Sequence, residues 1–388
     1  MIHSIAKALQ FVAILGCVSS SIYYLICLWS ARAFLGDRKA GETAGQTHVF
    51  PPVSILKPLK GTDPDIYGSF RSHCLQNYSE YEIIFGVSDP DDPAVASVEQ
   101  LQREFPDHAI RLVVSPNRLG ANVKVSNLEH MLQAARYQHL LVNDSDVRVE
   151  GDYLSRIIAP LADEQVGMVT CLYRGVAASS FGSQLESLGI STDFCPGVLV
   201  ARHLEGGLRF GLGATLAFRR IDLERIGGFQ AIVDFLADDY ELGRRIASLG
   251  LCVVLSDVVV ETHLPAYDLR GFLSHQLRWA RGVRDARTGG YVGLVSTYGL
   301  MWAMLLLIAA PAAPWSWAVF GLTVLLRFAV AGVVGNRVLG DQGLLGRLWL
   351  LPIRDLVAVL VWVGSFAGHT VTWRGDRFEL KNGRLIRR

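Results

Sequence analysis

Apolar residues run unbroken at the two ends of this chain and alternate with polar ones through its middle. Leu9 to Trp29 carries no charge, and about 20 such residues suffice for a membrane-spanning helix. Lys7 and the Ala31-Arg32-Ala33 stretch also fit a cleaved signal peptide, but the apolar run exceeds the ~7–15 residues of a signal core. A retained anchor over residues 1–35 is therefore expected. Arg32, Arg38 and Lys39 follow it and place that end in the cytosol by the positive-inside rule.

The second apolar region opens with an uncharged stretch from Thr288 to Leu326. Pro311 and Pro314 mark a turn, so spans are predicted near 291–310 and 315–335, within a membrane region covering 288–370. A third apolar segment near 348–370 is interrupted by Pro352, Arg354 and Asp355. The basic tail, 371–388, holds Arg374, Arg377, Lys381, Arg384, Arg387 and Arg388 and favours the cytosol. Three full spans leading from a cytosolic domain would put that tail outside. Either the third segment is re-entrant or interfacial, or the tail breaks the rule.

Between these ends, residues 50–287 alternate short β-rich runs with helical patterns. Strands are predicted at 53–57, 82–88, 110–114, 139–143, 166–172 and 251–260, and helices near 65–77, 94–104 and 122–136. Such alternation predicts an α/β domain with a mostly parallel sheet and helices on both faces. In such sheets ligands bind beyond the carboxyl ends of the strands. Residues 36–50, rich in Gly, Thr and charge, read as a linker from the anchor.

Composition agrees with a membrane protein that has a soluble middle: 51% of residues are hydrophobic and the mean hydropathy is +0.30. The net charge of +1 and the lack of a basic stripe give no footprint for nucleic acid. Cysteines 17, 27, 74, 171, 195 and 252 show no metal spacing and read as reduced thiols. Neither a G-x-G-x-x-G nor a G-x-x-x-x-G-K-[ST] sequence occurs, so dinucleotide-binding and P-loop fingerprints are missing.

The candidate chemistry lies in carboxylates at strand ends. Leu140-Leu141-Val142-Asn143-Asp144-Ser145-Asp146 is an apolar run ending in two acids one residue apart. Positions i and i+2 of a strand share a face, so Asp144 and Asp146 are candidate ligands for Mg²⁺ or Mn²⁺, which need only one or two carboxylates beside substrate phosphates. A turn or solvated loop end is the plainer reading. Asp89-Pro90-Asp91-Asp92-Pro93 follows the second predicted strand. Helix capping accounts for Asp91 or Asp92 and leaves Asp89 as a candidate acceptor for a base edge. Lys124 is a candidate phosphate contact, a solvated surface cation being the alternative. Asp238-Asp239 opens a helix, where carboxylates are also expected from the helix dipole. Arg278-Trp279, just before the first C-terminal span, also suits an interfacial anchor.

In their order these motifs resemble the ceramide glucosyltransferase family, inverting family-21 glycosyltransferases of GT-A fold. The chain also looks like the bacterial, hopanoid-associated branch. The resemblance covers roughly residues 50–290 and the anchor layout. It implies that Asp89 and Asp144 match the first two aspartates of the family, Asp239 the third, acting as general base, and Arg278 and Trp279 the terminal Arg-Trp. The position three before Arg278 is His275, where the family has Gln or Arg, and Gln276 comes one place late. The expected nucleotide-sugar contacts are thus Asp89, Lys124, Asp144, His275, Arg278 and Trp279, with metal on Asp144 and Asp146.

The implied activity is transfer of one sugar, glucose or N-acetylglucosamine, from a UDP-sugar to a lipid hydroxyl of ceramide or a hopanoid, with inversion. It is expected of a multi-pass membrane protein with a cytosolic catalytic domain. The alternatives are a processive polysaccharide synthase, a transferase to diacylglycerol or polyprenyl phosphate, and a non-catalytic membrane scaffold.

Overall fold

The computed structural model describes residues 2–43, 50–373 and 376–387. Residues 44–49 of the expected linker, and Arg374 and Arg388 of the basic tail, lie outside the described residues.

Helix α1 (Ile2–Thr43) is the expected anchor, but it continues well past Trp29. Positions 36–43 are therefore helix and not linker: no proline interrupts the turn there, and Gly36 and Gly41 lie inside the helix. The α/β domain then runs β1 (Val53–Pro58), α2 (Ile66–Cys74), β2 (Tyr81–Val87), α3 (Ala94–Glu104), β3 (Ala109–Val114), α4 (Val123–Ala134) and β4 (His139–Val142). It continues through β5 (Val147–Arg148), α5 (Tyr153–Ile158), β6 (Val166–Val176), α6 (Phe181–Gly189), a π-helical turn (Ile190–Phe194) and α7 (Cys195–Leu204). The last parts are β7 (Leu216–Arg219), α8 (Arg220–Arg225), α9 (Asp238–Ser248), β8 (Cys252–His263) and α10 (Leu269–Ala286).

The eight strands form one sheet in the order β3-β2-β1-β4-β7-β6-β8-β5. Pairs β3/β2, β2/β1, β1/β4 and β6/β8 are parallel; β7 and β5 are inserted antiparallel. Since β7 reverses twice between β4 and β6, the carboxyl ends of β1, β2, β4, β6 and β8 share one edge, and the loop leading into β7 arrives there too. Strands β1, β2 and β4 are buried nearly throughout, as expected of parallel strands covered on both faces. The six predicted strands all form. Strand β7 interrupts the expected βα rhythm, and β5 is only two residues long.

The C-terminal region comprises α11 (Thr288–Gly293), α12 (Gly299–Ala309), α13 (Pro314–Ala331), α14 (Leu344–Arg347) and α15 (Leu351–Ser365), followed by β9 (Thr370–Trp373), β10 (Asp376–Lys381) and β11 (Arg384–Arg387). Among the described residues, two helices are long and apolar enough to cross a membrane, Ala6–Arg38 and Pro314–Val338. The segments Thr288–Thr297 and Gly299–Ala309 make a third only as a pair bent by 51°. The Gln10 amide donates to Ala309 O at 2.7 Å, placing the end of α12 beside the start of α1. At the opposite end Asp37 of α1 pairs with Arg202 of α7 at 2.7 Å, and Arg174 of β6 donates to Leu339 O at 3.0 Å just beyond α13. The chain thus leaves the α/β domain along α12 and returns along α13. Helix α15, at 15 residues, is too short for a full crossing and packs along α10. The tail is no free basic extension: β9, β10 and β11 form a small antiparallel sheet.

Candidate active site

Of the expected acidic groups, Asp144, Asp146 and Asp239 meet at the shared strand edge. Buried Asn143 donates to Tyr153 Oη at 2.8 Å and to Ala214 O at 2.7 Å, which fixes the chain where β4 ends and Asp144 begins. From beneath, the Lys57 ammonium donates to Asp144 O at 2.9 Å. Lys57 is fully buried at the end of β1. Burial pulls it down to about 7 against the attraction of Asp146, Asp144 and Asp63. Asp146, partly covered on the same turn, is pushed up to about 7 by burial and by the neighbouring Asp144 and Asp63 carboxylates.

Helix α4 brings Lys124 across the cleft. Its N-cap is Asn122, whose side chain accepts from Val125 N at 3.1 Å, the usual satisfaction of a free helical donor. Lys124 Nζ lies 2.7 Å from Asp144 Oδ1 and 3.2 Å from Asp238 Oδ2. Burial opposes its charge, but Asp144, Asp238 and Asp239 outweigh that and hold it above the ordinary lysine range. In this arrangement the expected phosphate contact is committed to two carboxylates.

Asp239 sits in the first turn of α9. Its Oδ2 accepts from Gly213 N and its Oδ1 from Tyr240 N, both at 2.8 Å. Burial and the adjacent Asp238 push its carboxyl up to about 6, while Lys124 opposes the rise. A side chain at position 213 would meet both carboxylates, since a Cβ there would lie 3.2 Å from Asp144 Oδ2 and 3.2 Å from Asp239 Oδ2. Two acids separated by 95 positions in the sequence therefore face one glycine.

The Arg-Trp motif forms the other wall. On α10, the His275 ring stacks on Tyr267 at 5.4 Å and lies 6.0 Å from that of Trp279. His275 Nδ1 is 3.4 Å from Glu186 Oε1, so its nearest charged neighbour is a carboxylate and not an open anion site. Gln276, out of register with the family motif, bridges Glu186 (2.7 Å) and Arg354 (3.2 Å). Trp279 packs edge-on against Phe194 of the π-helical turn at 6.0 Å, and Phe194 against Tyr173 at 5.3 Å. Burial raises the Tyr173 phenol well above its usual value, with Asp239, Glu186 and Asp144 adding to it. Tyr267 is pushed up to about 12 by burial and feels Glu186, Arg278 and Asp146 together. Tyr173 and Tyr267 thereby link the Arg278 wall to the carboxylate wall.

Asp89 lies apart from this knot, two strands from β4 at the end of β2. Its exposed carboxylate accepts from Asp91 N at 3.0 Å. Asp92 accepts from Ala94 N, the first residue of α3, at 2.9 Å and also from Gly61 N, a structural role one residue before the cap position itself, which is Pro93. Sequence reasoning missed Lys57, Tyr173, Glu186, Phe194 and Gly213. A lysine inside an apolar strand was the one signal available for Lys57; the others are ordinary residues until the fold juxtaposes them.

Among the described residues, no group of three or more His, Cys, Asp or Glu side chains is arranged to hold a metal ion. Asp144 and Asp146 nevertheless fit one whose remaining ligands come from phosphate. Burial first, and then repulsion from Asp144 and Asp63, raises Asp146; a divalent cation would relieve that repulsion.

A family profile described as "Glycosyl transferase family 21" matches residues 12–386. Ceramide glucosyltransferase 1 of Caenorhabditis elegans is 22% identical over 397 aligned residues, covering 97% of this chain and 82% of the relative. The ceramide glucosyltransferase of Komagataella phaffii is 34% identical over 148 residues, covering 36% and 29%. Among solved structures, a mannosyltransferase from Pyrobaculum calidifontis in complex with GDP-Man and Mn²⁺ superposes with a TM-score of 0.56 at 22% identity, over 94% of this chain and 99% of the other. That likeness agrees with the mostly parallel α/β sheet expected from the strand pattern and with the glycosyltransferase fold implied by the family resemblance. With the profile spanning nearly every residue, the chain belongs to glycosyl transferase family 21.

Proposed function

We propose that this glycosyltransferase moves a single sugar from a UDP-sugar to the hydroxyl of a membrane lipid, with inversion at the anomeric carbon. The observation that carries this reading is the meeting of Asp144, Asp238, Asp239 and Lys124, from three separate elements, at the carboxyl edge of the sheet beside helices apolar enough to span a bilayer. The ceramide glucosyltransferase relatives support a lipid acceptor, ceramide or a hopanoid. The mannosyltransferase solved with GDP-Man and Mn²⁺ supports a nucleotide-sugar donor and a divalent ion.

In this mechanism Asp239 is the general base. As the acceptor oxygen bonds to C1, its proton passes to Asp239, the bond from C1 to the phosphate oxygen breaks, and UDP leaves from the opposite face. One displacement with one base inverts the centre. The carboxyl of Asp239, raised to about 6, is ionised at neutral pH and still basic enough to accept a proton. Lys124 and Arg278 bring positive charge to the two sides of the diphosphate, and His275 lines the Arg278 side. Trp279, with 42% of its surface exposed, offers a face to the donor or to lipid. Asp89 receives the uridine at the rim. Asp144 and Asp146 are the residues that would hold Mg²⁺ or Mn²⁺. Such an ion supplies charge neutralisation to the leaving group. The spans keep the acceptor's tails in the bilayer while its hydroxyl reaches the site from the cytosolic side.

The test is purified full-length protein in lipid nanodiscs with UDP-glucose or UDP-N-acetylglucosamine and a ceramide or hopanoid acceptor. Products are read by mass spectrometry and the anomeric configuration by NMR. A single-sugar lipid of inverted configuration is expected. A polymer would establish the synthase alternative, a retained anomer would refute one-step displacement, and no product from any donor would refute the proposal.

A further inference from the structure

We propose that the C-terminal three-stranded sheet is a positioning element of the transfer site and lies on the same membrane face as the catalytic domain. This rests on the assignment of Asp239 and Arg278 above, but its geometry stands alone. Leu385 N donates to Asp234 O at 2.7 Å and Leu236 N to Gly383 O at 3.1 Å, with Phe235 bridged to Arg384 between them. Strand β11 thus pairs antiparallel with residues 234–236, the segment that delivers Asp238 and Asp239 to the cleft. The Arg384 guanidinium lies 5.0 Å from the Phe235 ring centroid. Val371, Phe378, Leu380 and Leu385 form a small core against Ala121 and Leu236.

The other side of the same segment holds the Lys124 helix. Asn122 N donates to Val233 O at 2.8 Å, Asn122 Nδ2 to Phe235 O at 2.8 Å, and Ala121 N to Asp234 Oδ1 at 2.9 Å. Residues 233–236 are therefore clamped between the C-terminal sheet and the start of α4. Movement of one side is felt by both Lys124 and Asp239.

The sheet is also fastened to α10, the helix of Arg278 and Trp279. Arg281 donates to Thr370 O at 2.6 Å; Arg284 donates to Ser365 O and, at 2.9 Å, to Gly368 O. Basic side chains commonly satisfy the free carbonyls of a helix end in this way. Asp285 accepts from Gly383 N. One small sheet therefore spans both walls of the cleft, fixing Asp239 and Lys124 relative to Arg278. Because its strands bond to the catalytic domain, the C-terminus cannot lie across the membrane from it. Helix α15 then runs along the membrane face, and the basic tail obeys the charge rule that three full spans would have broken.

The first arm of the test uses labelling in sealed membrane vesicles with an impermeant maleimide. Cys252 is exposed on the catalytic domain, whereas the other five cysteines are buried, and Ile386 is exposed on β11. Cys252 in the native chain and Ile386→Cys in a Cys252→Ser background should be labelled from the same face; labelling from opposite faces overturns the proposal. The second arm compares Leu385→Pro, which removes the N–H given to Asp234 O, with Leu385→Val, which keeps it. Per nucleotide-binding site, Leu385→Pro should lose kcat about 100-fold with donor KM nearly unchanged, and Leu385→Val should retain wild-type turnover. Wild-type kcat in Leu385→Pro overturns the positioning role. Should Leu385→Pro not fold, Arg384→Ala is read the same way, with a smaller loss expected. An inactive wild-type protein would instead refute the proposed transfer reaction and leave the labelling result in force.

Discussion

The Lys124 ammonium lies 2.7 Å from Asp144 Oδ1, joining the start of α4 to the end of β4 across the cleft. This contact sets the charge around Asp239, because Lys124 is the cation that holds its carboxyl down against burial and Asp238. Removing it has a definite sign. In Lys124→Met the Asp239 carboxyl should rise above about 6, and the acid limb of kcat/KM should move to higher pH by about one unit. The pH–rate profiles of the two proteins provide the measurement. An unmoved limb would show that Asp239 is not the titrating base.

Asp239 itself couples activity to stability. A raised carboxyl pKa means that the folded state binds a proton more tightly than the unfolded chain. Stability is therefore fully present below the unfolded value and is lost as pH rises toward about 6, leaving the fold with a cost at neutral pH. Asp239→Asn should abolish turnover, keep UDP binding, and raise the thermal midpoint at pH 7.5 by a few degrees. At pH 4 that gain should vanish. Thermal scans at both pH values, with UDP titration, check all three.

Gly213 separates the two carboxylates, with room for no side-chain atom beyond a tight 3.2 Å. Gly213→Ala should push Asp144 and Asp239 apart and cost about 10–100-fold in kcat, with the melting temperature little changed. Steady-state kinetics beside a thermal scan separate the two effects.

The crowding of Asp144 and Asp63 on Asp146 predicts that nucleotide binding depends on a divalent metal. Chelation with EDTA should weaken UDP binding, and Mg²⁺ or Mn²⁺ should restore it. Asp144→Ala and Asp146→Ala should each blunt that response in calorimetry. Binding that ignores EDTA in the wild-type protein would argue that Lys57 and Lys124 alone balance the acids.

Arg327 is buried within α13 and pairs at 2.6 Å with both Asp193 and Asp355. Arg327→Ala leaves Asp355 without its ion-pair partner and Asp193 with only Arg354, 3.2 Å away, and should destabilise the protein by about 3–5 kcal/mol. Adding Asp193→Asn and Asp355→Asn should recover part of that loss, as measured by unfolding in detergent.

The strands at 53–58, 81–87 and 139–142 were legible because buried parallel strands are continuous apolar runs, and the acids at their ends stood out by contrast. The anchor and the Pro311–Pro314 turn were legible because the bilayer fixes helix length and composition. The family motifs themselves pointed to Asp144, Asp239 and Arg278. What the sequence could not express were relations between distant segments. Strand β7 and its Gly213 loop acquire their meaning from pairing with β4, and Lys57 from the carboxylates stacked above it. His275 and Gln276, adjacent in sequence, both meet Glu186 of α6, a partner that no local pattern names. The basic stretch after residue 370 reads as a tail that favours the cytosol, yet pairing of residues 383–385 with residues 234–236 sets strands β9, β10 and β11 against the segment that leads to Asp239. Local patterns record what each segment must bury. Only the assembled fold decides which buried and charged groups then meet.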